Sequence, residues 1–182
     1  MKLIILLFLS SLAYGQDYEF INEVINPYDN GNPIPKDSIY LYHNFIPLGT
    51  QYLSKESINE KSVKLWWNEI KNNQPPVELF LENFNLEHLK SDIAKSQNDS
   101  IIDFNKLKKY FHRSDTKFLN ENPRNNITYI SKPYFNCKKD WALIVTSTYI
   151  PYINTSSGGL MHIYVKISGK WILYYQFTLW TG

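Results

Sequence analysis

The chain contains a single cysteine, Cys137, so an intramolecular disulfide is impossible. It has only 7 glycines, and neither GxGxxG nor GxxxxGK[ST] occurs, so no phosphate-cradling loop is legible. No GxSxG turn exposes a nucleophilic serine. The four histidines, His43, His88, His112 and His162, stand far apart. None has the two-His, one-Glu spacing that brings two imidazoles of one helix onto one zinc ion. We therefore expect no metal site and no cofactor. Arginine is scarce, 2 residues against 17 lysines, and the formal net charge is +2. A near-neutral chain poor in its best phosphate reader has no electrostatic footprint for duplex nucleic acid, and no nucleic-acid partner is expected.

Long apolar runs are also lacking, with one exception at the N-terminus. Lys2 supplies a positive start, Leu3 to Leu12 a short apolar core, and Ala13-Tyr14-Gly15 small residues at the −3 and −1 positions of a cut before Gln16. This is the pattern of a cleaved signal peptide at 1–15, followed by a single domain at 16–182. The run is too short to act as a stop-transfer span, so no integral membrane segment is expected after cleavage. Gln16, not Cys, stands directly after the cut, which argues against a lipid anchor. The expected location is exported, either periplasmic or extracellular.

Apolar side chains are abundant, at 43% hydrophobic and 16% aromatic. Such a chain has ample surface to bury and does not read as disordered. Phe20, Ile21, Val24 and Ile25 lie at helical spacing within 17–26, and Pro27 ends the pattern. Residues 27–37 form a loop rich in Pro, Asn and Asp, and 38–46 read as a strand. Three further helices are expected: 56–71 with Val63, Trp66, Trp67 and Ile70; 86–97 with Asn85 as N-cap; and 103–112 with Phe104, Leu107 and Phe111 behind Asp103. Residues 113–126 read as a polar connection.

From Ile127 onward the pattern is strand-like. ITYISKPYF, WALIVTSTYI, GGLMHIYVKI and KWILYYQFTLW read as four consecutive strands. Ser168-Gly169 predicts a two-residue hairpin turn that pairs Ile167 with Lys170, Val165 with Ile172, Ile163 with Tyr174 and His162 with Tyr175. Residues 141–150 are apolar on both sides near Leu143–Val145, which predicts a central strand covered on both faces. The expected fold is α+β, with N-terminal helices packed on a C-terminal antiparallel meander of about four strands. This arrangement is also seen in the cone-shaped NTF2-like fold.

The same region carries a resemblance. Ser131-Lys132-Pro133-Tyr134-Phe135, Gly158-Gly159-Leu160, Tyr164-Val165-Lys166 with Gly169-Lys170-Trp171, and Leu179-Trp180 stand in order. Together they resemble a group of uncharacterised exported bacterial proteins with the pattern S-K-P-x-F … G-G-L … Y-x-K-x-x-G-K-W … L-W. The resemblance implies export and an α+β fold, and it implies no activity. Members of the group have a Cys- and Gly-rich loop where this chain has 154–159 without Cys.

By that register one sheet face would gather His162, Tyr164, Trp171 and Tyr175 beside Lys166. Flat aromatic area edged with polar groups suits a glycan, a small molecule or another protein; packing under a helix is the competing role, and by base rate the commoner one. The polar loop at 151–157, with Asn154 and Ser156, is the second candidate, since binding residues concentrate on loops over a rigid scaffold. Missing catalytic motifs favour a non-enzymatic binding or interaction module. The alternatives are an enzyme with its site in a cavity between helices and sheet, and a secreted inhibitor or immunity-type protein that would expose an apolar patch.

Overall fold

A computed structural model of the chain describes residues 15–25, 38–48, 82–96, 101–122, 124–151 and 154–180. It is α+β, with few helices and a mixed, largely antiparallel sheet. Among the described residues the helices are α1 (15–24), α2 (Leu86–Ser96) and α3 (Thr116–Glu121), and 82–83 are helical as well. The strands are β1 (Ile39–Tyr42), β2 (Phe111–Ser114), β3 (Ile127–Ile130), β4 (Tyr134–Phe135), β5 (Trp141–Ile150), β6 (Thr155–Ile167) and β7 (Lys170–Trp180). The expected helix at 56–71 lies outside the described residues. No helix among the described residues is long and apolar enough to cross a membrane.

The sheet runs β2-β1-β3-β5-β6-β7, and β4 also pairs with β5. It is larger than the four-strand meander, because β1 and β2 join it. β1 pairs parallel with both β2 and β3. The first expected strand is in fact two. Pro133 lacks an N–H, and the ladder is interrupted over 131–133. Ser131 bridges the interruption: its N–H donates to the Val145 carbonyl at 2.8 Å, and its hydroxyl accepts from Val145 N–H at 2.9 Å.

β5 is the centre of the molecule, as its apolar run predicts. Trp141, Leu143 and Val145 pack on one side with Leu89 and Ile93 of α2. Ala142 and Ile144 pack on the other with Phe20, Ile21 and Val24 of α1. Each large side chain buried this way contributes about 1.5–3 kcal/mol. The helix ends follow their caps. Asn85 Oδ1 accepts from the N–H groups of Glu87 and His88, both at 3.1 Å, and opens α2. Asp115 Oδ1 accepts from Phe118 N–H at 2.9 Å and opens α3, inside the stretch read as a polar connection. That backbone donor holds the Asp115 carboxyl below its usual range.

The helix expected at 103–112 is absent. Asp103 does cap, accepting from Asn105 N–H at 3.1 Å, but only for one 3-10 turn at Phe104–Lys106. Leu107 is already extended, and Phe111 pairs with Ile39 in the parallel ladder. Long-range strand pairing and the burial of Phe111 beside Ile39 and Leu41 outweigh a local helical stripe.

The turn between β6 and β7 forms as expected, with Ser168 at φ 50° and Gly169 at φ 83°, and Ile167, Lys166, Val165 and Tyr164 pair with Lys170, Trp171, Ile172 and Leu173. Beyond Tyr164 the register slips by one residue. Ile163 then faces Tyr175, not Tyr174, and His162 faces Gln176, not Tyr175. The slip is a β-bulge, and it moves Tyr175 to the opposite face of the sheet. At the far end of the hairpin Gly159 pairs with Trp180. The Trp180 ring fills the space where a Cβ on residue 159 would stand, so any side chain there would have to displace that ring.

Candidate functional site

The aromatic residues singled out from the sequence do not share one surface. Tyr164 is buried, with its ring edge-on to Phe20 of α1 at 5.4 Å. Trp171 is half-buried, 5.0 Å from the same Phe20 ring, and its backbone N–H donates to Glu23 at 2.7 Å. His162 lies along that face, stacked 6.4 Å from Tyr164, and shares a 2.8 Å hydrogen bond with Thr146 Oγ1. Burial pushes its imidazole down to about 4, so the ring is neutral at pH 7. Tyr175 stands on the other side of the sheet, in the α2 core beside Phe177.

Within the expected loop at 151–157, β6 begins at Thr155. Asn154 is exposed at its start and accepts from the Tyr149 hydroxyl at 2.7 Å. Ser156 Oγ accepts from Gly158 N–H at 3.4 Å. These two residues sit at the opposite end of β6 from Trp171's partner Lys166.

A concave site lies elsewhere, where α1, α2 and β4 meet. It is a cleft of ≈ 430 Å³, within the range of small-molecule sites. Gln16 and Asp17 come from α1. Glu82, Asn83, Phe84 and Asn85 precede α2, and His88, Leu89 and Asp92 lie on it. Pro133, Tyr134 and Phe135 form a third wall, continued by Asn136, Cys137 and Lys139 of the turn into β5.

Each wall has a local cause. The i, i+3, i+4 spacing of Asn85, His88 and Leu89 keeps them on one helical side. His88 Nδ1 lies 3.0 Å from Asp92 Oδ2, one turn further along. The 136–140 turn is closed by Asn136, whose Oδ1 accepts from the N–H groups of Asp140 and Trp141 at 3.1 and 3.0 Å. Its Nδ2 donates to Asp140 Oδ1 at 2.7 Å. Lys139 at φ 58° reverses the chain, and Cys137 is left exposed beside the cleft.

Asp17 is the unusual group. Burial raises its carboxyl to about 6, and the charges of Lys132 and Lys139 offset only part of that cost. A carboxylate with an elevated proton affinity on a cleft wall is a functional-site signature. Among the described residues no group of three or more His, Cys, Asp or Glu is placed to hold a metal ion. What the cleft can do is seat a small organic molecule on Phe84, Tyr134 and Phe135, with carboxylates, amides and an imidazole at its edges.

Sequence reading missed this site because its walls come from positions 16–17, 82–92 and 133–139, which carry no shared motif. The one local signal was an acid placed on the helix that Phe20 and Ile21 bury. In the comparisons with known proteins, no protein-family model matches the chain, and no curated protein or solved structure matches it either.

Proposed function

We propose that this protein is an exported, non-enzymatic binding module whose small-molecule or glycan ligand sits in the cleft between α1, α2 and β4. The observation that carries the reading is Asp17, a carboxyl held near pKa 6 by burial on the wall of a cleft. Folding alone gives no reason to keep an acid there, since ionising it at neutral pH costs stability. Retained strain of this kind is characteristic of binding sites. The signal-like N-terminus and the resemblance to exported bacterial proteins support export. The analogy with a cone-shaped NTF2-like fold supports the placement only as an arrangement of helices before a sheet.

The test is a small-molecule and oligosaccharide screen by NMR on the full chain. Hits are expected to shift backbone signals of Asp17, His88 and Phe135 together, and to weaken in Asp17→Asn. Hits that map to Tyr164 and Trp171, or to Asn154 and Ser156, with no response in the cleft would refute the placement.

One arrangement favours the alternative of an enzyme: an exposed thiol, Cys137, and the His88–Asp92 pair line the same cleft. A thiol activated by His88 would react with iodoacetamide faster than free cysteine, and His88→Ala would remove the excess. Equal rates in the two proteins would discard the enzyme reading. For the inhibitor-type alternative, the exposed large apolar side chains among the described residues are Ile101, Ile167 and Ile172. Ile167 and Ile172 are diagonal neighbours on one face of the β6–β7 hairpin, and Ile101 lies apart from them in the chain.

A further inference from the structure

Resting on the cleft reading above, we infer that the ligand is a small organic cation: an apolar body bearing one ammonium or guanidinium group, with Asp17 as its counter-ion. Three features of the cleft converge on this chemistry. The first is charge. Three carboxylates, Asp17, Glu82 and Asp92, line the cleft, against Lys139 of the lining and Lys132, whose charge also reaches Asp17. Acids outnumber lysines there by three to two in a chain whose overall charge is +2.

The second feature is the floor. Phe84, Tyr134 and Phe135 supply aromatic and apolar area in the same cleft as the acids. An aromatic face attracts a cation through its quadrupole and a methylene chain through burial, so this lining suits an amphiphilic cation better than an anion. The third is the incomplete compensation of Asp17. Lys132 and Lys139 both act on its carboxyl, yet burial still dominates. A ligand cation brought to within hydrogen-bonding distance would complete what these two side chains do not.

Binding and protonation are then linked. A cation favours ionised Asp17, so its binding must displace a proton wherever the free carboxyl is protonated. Affinity should fall as the pH drops from 7 to 4. The other charged groups of the site are Lys132 and Lys139 beside Asp17, the α-ammonium that the expected cut before Gln16 leaves one residue away, and Glu82, His88 and Asp92 on the facing wall.

The experiment compares phenethylammonium, phenethyl alcohol and phenylacetate, which share one apolar body and differ in charge, by NMR titration of the full chain. The expected result is saturable binding of phenethylammonium in the cleft at pH 7. Asp17→Asn should weaken it roughly 10- to 100-fold, the effect of losing a charge-assisted hydrogen bond. The same weakening is expected in the unaltered protein at pH 4, which keeps the test independent of the variant. If phenethyl alcohol or phenylacetate binds the cleft as tightly as the amine, the cation inference is overturned and the cleft remains a binding site. If none of the three perturbs the cleft, while the screen of the previous section finds other hits there, the cation inference alone fails. If that screen is also silent, both readings fail.

Discussion

Two ionisable groups are taken out of water in this protein, and they are treated in opposite ways. His162 lies on the same face of the sheet as Tyr164, partly buried, hydrogen-bonded to Thr146 and stacked on Tyr164. Asp17 lies on α1, on the wall of an open cleft. Both are shifted by burial, the imidazole down to about 4 and the carboxyl up to about 6. The histidine is neutral at pH 7 and has a hydrogen-bond partner. The cleft aspartate at pH 7 is an anion whose burial is only partly offset by two lysines. Burial with a satisfied partner reads as architecture, whereas burial beside open space reads as a site.

The largest expected effect tests the closed side of this contrast. Phe20 is 1% exposed and meets the rings of Phe135, Tyr164 and Trp171. Phe20→Ala should cost about 3–5 kcal/mol by urea unfolding. A loss below about 1 kcal/mol would mean that the layer under α1 is not a packed core.

Next comes the pH dependence of His162. The unfolded imidazole takes up a proton below about 6.5, but the folded one does so only near 4. Stability is therefore fully present above pH 6.5 and falls by about 2–3 kcal/mol as the pH drops toward 4. His162→Gln should flatten that portion of the curve, measured against the unaltered protein in the same buffers.

Asp17 should slope the opposite way. Its folded form holds the proton up to about pH 6, whereas the unfolded carboxyl loses it near 3.8. Its contribution is present at low pH and disappears as the pH rises through this window. Asp17→Asn should accordingly stabilise the protein by about 1–3 kcal/mol above pH 6 and by little below pH 4. A variant that is more stable yet binds less would sharpen the contrast between core and site. The smallest effect is expected on the cleft's outer wall. His88 and Asp92 have side chains 63% and 44% exposed, so Asp92→Asn should change the unfolding free energy by less than about 0.5 kcal/mol.

Much of this architecture was legible from residue order, and the exceptions have identifiable causes. β5 and β7 begin and end where their apolar and aromatic runs do. α2 opens at the Asn85 cap, and Ser168-Gly169 makes the expected turn. These features are local, so local chemistry decides them. Phe104, Leu107 and Phe111 kept helical spacing but did not make a helix, because the partner of Phe111 is Ile39, 72 positions away. The bulge that turns Tyr175 to the other face shifts the period by one residue, which alternation alone does not reveal. The cleft was the least legible part. Asp17, His88 and Cys137 become neighbours of one cavity only through the packing of α1, α2 and β4 around it.

The most direct test follows the Asp17 carboxyl and the His162 imidazole by carbon-13 NMR through a pH titration, with and without saturating phenethylammonium. The expected result is an Asp17 midpoint near 6 in the free protein that moves down when the amine is bound, with His162 titrating near 4 in both. An Asp17 midpoint near 4 in the free protein, or an amine that moves His162 and leaves Asp17 unchanged, would contradict the assignment of the cleft as the binding site.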